Sequence, residues 1–188
     1  QPLLYINPDA FSSENIKHTI KIAPVPLNKG ERDFLSDVKD FHKNNPNFFV
    51  DKSLYLLRNK SKQGIGFFDT HGFYPDFILW LITKEKQYIS FIDPKGIRQL
   101  HSFDDPKVRL AQVIRTEIEP QLNDPNIILN SFIISNTPIT AVSHWAGISR
   151  NKIPNKEDIK IFNDKHIYFQ SEQAQVYIAN MLNSMLKG

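Results

Sequence analysis

Two short apolar runs constrain this chain more than any other feature. Residues 75–82 read P-D-F-I-L-W-L-I and residues 88–95 read Y-I-S-F-I-D-P-K, with the polar stretch Thr83 to Gln87 between them. Each run is too short for a core helix and too apolar for a surface strand, so the pair reads as a buried β-hairpin. Pairing the strands about the centre of the turn sets Ile78 opposite Phe91 and Trp80 opposite Ile89, which are sensible apolar partners on one face. The same register sets Asp76 opposite Asp93, with Cα atoms about 4.5–5.5 Å apart. Strand side chains alternate with period two, so Lys95 shares the face of Asp93. Two carboxylates and an ammonium are thereby expected at one end of a buried hairpin.

The flanking sequence supplies the rest of an α/β fold. Leu27 to His42 has apolar residues at helical spacing, and Asn28 followed by Glu31 is a capping-box signal at its start. Ser53 to Arg58 reads as a strand, residues 59–74 as a Gly-rich loop, Pro106 to Leu122 as a helix, and Ile127 to Ile134 as a buried strand expected to pair in parallel after its crossover. Residues 135–165 read as loop, Ile167 to Phe169 as a short strand, and Ser171 to Lys187 as an amphipathic helix; Ile16 to Ile22 alternates weakly as a further strand. That order predicts a mixed central sheet flanked by helices in a single domain over 1–188, with a core of about 20–136 and residues 137–188 as an appended loop region and C-terminal helix.

Composition limits the chemistry. The chain has 188 residues, no cysteine and a net charge of +3. Disulfides, thiolate metal sites and thiol nucleophiles are excluded, and a cytoplasmic location is expected. No apolar run is long enough to span a membrane. The charge is too mild for tail-mediated nucleic-acid binding and leaves room for a local basic groove. Close carboxylates repel and raise each other's pKa unless a cation sits between them, and a hard divalent ion with oxygen ligands resolves that conflict. A water on such an ion loses a proton readily, and a nearby lysine stabilises the negative charge that develops.

The pattern Pro75-Asp76 followed by Asp93-Pro94-Lys95 resembles the PD-(D/E)xK nuclease motif. Within the longer string F-Y-P-D-F-I-L-W-L to Y-I-S-F-I-D-P-K-G, with Y-L-L-R-N at 55–59 and L-N-K-G-E-R-D-F-L at 27–35, it is similar to the C-terminal endonuclease domain of type III restriction enzymes and related helicase-linked nucleases. The resemblance covers roughly 20–135. It implies a restriction-endonuclease-like three-layer fold and Mg²⁺-dependent hydrolysis of DNA, with Mn²⁺ able to substitute. It also implies a superfamily 2 helicase or translocase motor in the same full-length chain, and leaves room for a methyltransferase subunit as partner. By resemblance, Asp76 and Asp93 ligate the metal with the Pro94 carbonyl, Lys95 addresses the attacking water, and Glu31 completes the acidic set. Pro94 removes a ladder donor but keeps its carbonyl. The chain contains no G-x-x-x-x-G-K-[ST], so it carries no motor of that type, and its start at Gln1 leads us to expect a fragment.

Plainer readings stand beside these. Asp76 and Asp93 also suit strand-end turns, Lys95 a solvated terminus, and Glu31 the partner of Asn28 in a helix cap. Arg58 and Asn59 are candidates for phosphate contact, or Arg58 for orienting an acidic ligand or for a plain ion pair. Lys107, Arg109 and Arg115 are candidates for a DNA groove, or for a solvated helix face. His71 lies in a Gly-flanked loop five residues before Asp76, His42, His101, His144 and His166 show no zinc spacing, and Trp145 suits either base stacking or packing. Two rival functions follow: a DNA-binding or assembly module that does not cut, and, less well matched, a glycosidase using the two carboxylates.

Overall fold

The computed structural model describes residues 26–60, 64–67, 73–95, 97–149, 152–174 and 176–187. The weak strand at 16–22 and His71 lie outside the described residues. A five-stranded sheet in the order β1-β2-β3-β4-β5 forms the middle layer. β1 (Ser53–Arg58), β2 (Phe77–Ile82) and β3 (Gln87–Pro94) pair antiparallel, while β4 (Ile127–Ser135) runs parallel to β3 and β5 (Ile167–Phe169) parallel to β4. The sheet is therefore mixed and helices cover both of its faces, as the element order predicts.

One face packs on α1 (Lys29–Asn44) and α5 (Val176–Leu186). Phe34 and Val38 of α1, Tyr177 and Met181 of α5, and Phe77, Leu79, Ile92 and Phe132 of the strands form its core. The Tyr177 hydroxyl donates to Asp37 at 2.6 Å and ties the two helices together. The opposite face packs on α2 (Pro106–Val113), with Leu110 and Ile114 against Ile78, Phe91 and Leu129. α3 (Lys156–Asn163) extends that layer through Phe162, which sits with Ile97, Ile133 and Ile167.

The structure differs from the sequence reading in three places. The helix expected over 106–122 is α-helical only to Val113; Ile114–Ile118 widens into a π turn and Glu119–Leu122 tightens into a 3₁₀ turn. Pro120 explains the change, because it has no N–H to give the preceding turn and its ring crowds the carbonyl four residues back. The C-terminal helix is broken: α4 (Gln170–Gln173) stops at Ala174, whose φ is 40°, before α5 begins. The buried Gln173 side chain accepts the Phe169 N–H at 2.8 Å and so closes that turn on itself. Residues 135–165 are not all loop, since Asn155 and Asp158 form a capping box that starts α3. β5 and α5, from the segment 137–188, join the same sheet and core as the earlier elements. Among the described residues no helix is long and apolar enough to cross a membrane.

Candidate active site

The hairpin register places the acidic pair. Phe77 pairs with Ile92, Ile78 with Phe91 and Trp80 with Ile89, so the next step beyond the ladder faces Asp76 with Asp93. Asn59 extends the neighbouring ladder. Its N–H donates to the Asp76 carbonyl at 2.8 Å and its side-chain amide to the Pro75 carbonyl at 2.8 Å. That amide also bonds the Ile65 carbonyl, so Asn59 fixes the backbone of Asp76 and has no free side-chain donor evident for phosphate.

Asp93 is 2% exposed. Its Oδ2 lies 3.2 Å from the Lys95 ammonium and 4.0 Å from that of Lys107, while its Oδ1 is buried with no hydrogen-bond partner. Burial, then the charge of Asp93, then a hydrogen bond shared with the Asp93 carboxylate, then the charge of Glu31 push the Asp76 carboxyl up to about 7. Burial works against the Lys95 ammonium, but the charge of Asp93, hydrogen bonds with Lys107 and Asp93 and the charge of Asp76 together hold the group above its ordinary value. Lys107 is pulled below its ordinary value by burial and by Lys95 beside it. It also sits 5.0 Å from the centre of the Phe73 ring, a cation–π contact.

Glu31 reaches the edge of this cluster with both oxygens engaged. Oε1 accepts from the Asn28 side-chain amide at 2.7 Å, and Oε2 accepts from the Asn28 N–H at 3.2 Å and lies 3.7 Å from Arg58. The capping box and the ion pair of Arg58 are thus both present. Gly30, next to Glu31, lets α1 approach the strand end: a Cβ there would stand 3.2 Å from the Pro94 carbonyl oxygen. Arg109 is exposed on α2, whereas Arg115 is half-buried and bonds the Asn130 side chain at 2.9 Å. His144 is exposed, and Trp145 packs edge-on against Phe103 with ring centres 5.7 Å apart.

Asp76, Asp93, Lys95 and Glu31 therefore converge, and Lys107 joins them. The sequence reading offered Lys107 to a DNA groove or a solvated helix face and not to the carboxylates. Its available signal was position: the first turn of a helix that follows β3 lies near the strand's C-terminal end. No group of three or more His, Cys, Asp or Glu among the described residues is arranged to hold a metal ion. A divalent ion here would rest on Asp76 and Asp93, with backbone and water completing its shell, which is how Mg²⁺ is commonly bound. The unpartnered Oδ1 of Asp93 and the raised Asp76 carboxyl fit such an ion.

The raised Asp76 carboxyl makes a thermodynamic prediction for the metal-free protein. Folded Asp76 holds its proton to about pH 7, against an ordinary value of 3.8. Its contribution to stability is complete below the ordinary value and is lost as pH rises through the folded one. The Tm of wild type minus that of Asp76→Asn should fall between about pH 5 and about pH 8 in EDTA. A difference that is flat or rising across that range would show that Asp76 is not raised.

No family model, curated protein or solved structure matches this chain.

Proposed function

We propose that this chain is a Mg²⁺-dependent endonuclease domain that hydrolyses DNA phosphodiester bonds, with a restriction-endonuclease-like fold and the place of a C-terminal nuclease module in a type III restriction or related helicase–nuclease protein. The observation that carries the proposal is the buried, half-unpartnered Asp93 carboxylate, set opposite Asp76 and in contact with Lys95. In this reading Asp76 and Asp93 hold the metal with the Pro94 carbonyl. Lys95 orients the attacking water, Lys107 faces the phosphate, and Glu31 tunes the site through its charge. Bound Mg²⁺ supplies a more acidic water and charge neutralisation at the phosphate.

The test is cleavage of supercoiled plasmid in Mg²⁺ by wild type, Asp76→Ala and Lys95→Ala. Loss of Lys95 should lower kcat by about 10²–10³, the usual cost of one charge-stabilising donor. Equal cutting by all three proteins would overturn the assignment.

The engaged oxygens of Glu31 favour one alternative, a module that binds DNA without cutting. It predicts salt-dependent DNA binding with no heat of Mn²⁺ binding, whereas the nuclease predicts Mn²⁺ heat that disappears in Asp93→Asn.

A further inference from the structure

α2 has a second basic flank, away from the carboxylates. Beside it runs a groove of about 350 Å³, lined by Val108, Arg109, Gln112 and Arg115 of the helical segment and by Lys165 and His166 of the turn between α3 and β5. Sequence separation of about fifty residues hides this meeting. The acid that lines the groove, Asp164, is already held by Lys160 at 2.6 Å. Arg109 and Lys165 are exposed and have no ion-pair partner among the described residues.

The inner wall is held in place. Arg115 donates one guanidinium nitrogen to the Asn130 side chain of β4 at 2.9 Å, which anchors its charge in the wall. His166 is fixed by a hydrogen-bonding contact of 3.0 Å between its Nδ1 and the Ser131 carbonyl and by stacking on Phe132 at 4.7 Å. Its backbone adopts φ 60°, a left-handed conformation that a non-glycine residue keeps only when its surroundings hold it there. Unpaired cations at the rim, with the anchored Arg115 behind them, suit the groove to an anion.

The position of the groove selects the anion. Lys107, in the first turn of α2, reaches Asp93, and Arg115 lies eight residues further on, about 12 Å along a helix axis. About 12 Å is also the rise of three to four nucleotides of one strand.

We propose that the groove between α2 and the α3–β5 turn is a phosphate-backbone subsite, holding duplex DNA to one side of the Asp76/Asp93 centre. The proposal rests on reading that centre as a nuclease site. It is tested by binding without metal, so the two fail separately.

The experiment is fluorescence anisotropy of labelled duplex DNA in EDTA over a salt series. Three proteins are compared: wild type, Arg109→Ala/Lys165→Ala, and a control with the same charge change, Lys39→Ala/Lys43→Ala, on exposed positions of α1. Each phosphate contact adds about 0.9 to the slope of log K against log salt, so the groove variant should lose about 2 of that slope and the control none. An unchanged slope in the groove variant, an equal fall in the control, or no binding by wild type overturns the subsite. A slope change seen with duplex RNA and not with DNA overturns its assignment to DNA. Absence of plasmid cleavage alongside the expected slope change would overturn the nuclease and leave the subsite standing.

Discussion

Replacement of Asp93 by Asn is expected to abolish Mg²⁺-dependent DNA cleavage while leaving the fold in place. Asn keeps the volume and one carbonyl oxygen and removes the charge that faces Lys95 and Lys107. A divalent ion stabilises a phosphoryl transition state by several kcal/mol, and about 1.4 kcal/mol is a factor of ten, so its loss should cost about 10³ or more in kcat. Asp93→Ala should cost as much activity and more stability. It empties a fully buried position and leaves two ammonium groups facing each other without their shared counter-ion, and removing one member of a buried charge cluster is strongly destabilising. Single-turnover cleavage and urea unfolding of the two variants separate these effects: both should fail to cut, and Asn should unfold at the higher urea concentration. Cutting by Asp93→Asn within tenfold of wild type would remove this residue from the chemistry.

The largest effect on stability alone is expected from Phe34→Ala. Phe34 is 0% exposed on the inner face of α1, and its ring centre lies 5.6 Å from that of Phe77 on β2. Truncating a buried Phe costs about 3–5 kcal/mol, the lost transfer energy plus the cavity left behind. Domains of this size are stable by only about 5–15 kcal/mol, so the variant should be close to unfolded at physiological temperature. The loss also reaches the site, because the same helix carries Gly30 and Glu31 against the end of β3. A lower urea midpoint with an unchanged m-value would confirm loss of packing without a change in the unfolded state. A midpoint within experimental error of wild type would mean that α1 is not docked through Phe34.

The parts of this molecule that were legible in its sequence are those specified by local rules. The hairpin register follows from side-chain period and turn symmetry, and it places Asp76 opposite Asp93 without any tertiary information. The capping box of Asn28 and Glu31 is likewise a local pattern, found as expected. The same rule applied to Asn155 and Asp158 would have found α3, but an eight-residue helix inside a polar stretch has too short an apolar stripe to stand out. Reading 106–122 as one helix passed over Pro120, the residue that accounts for its change of winding from Ile114 onward. Other features needed the third dimension. The distance from Lys107 to Asp93 depends on the loop that leads from β3 into α2, and Arg109 meets Lys165 only because β5 docks beside β4. Asn59, a candidate for phosphate contact in the sequence, is instead the clamp on the Asp76 peptide, a role set by the partner strand's carbonyls.

The central claim is that Asp76 and Asp93 hold one divalent metal beside Lys95. Anomalous diffraction from crystals soaked in Mn²⁺ tests it most directly. The expected map has one strong peak between the two carboxylates, touching Asp93 Oδ1, with the Lys95 ammonium directed at a water on the metal, and no peak in Asp93→Asn. A map with no peak between Asp76 and Asp93, or with the same peak in Asp93→Asn, would contradict it.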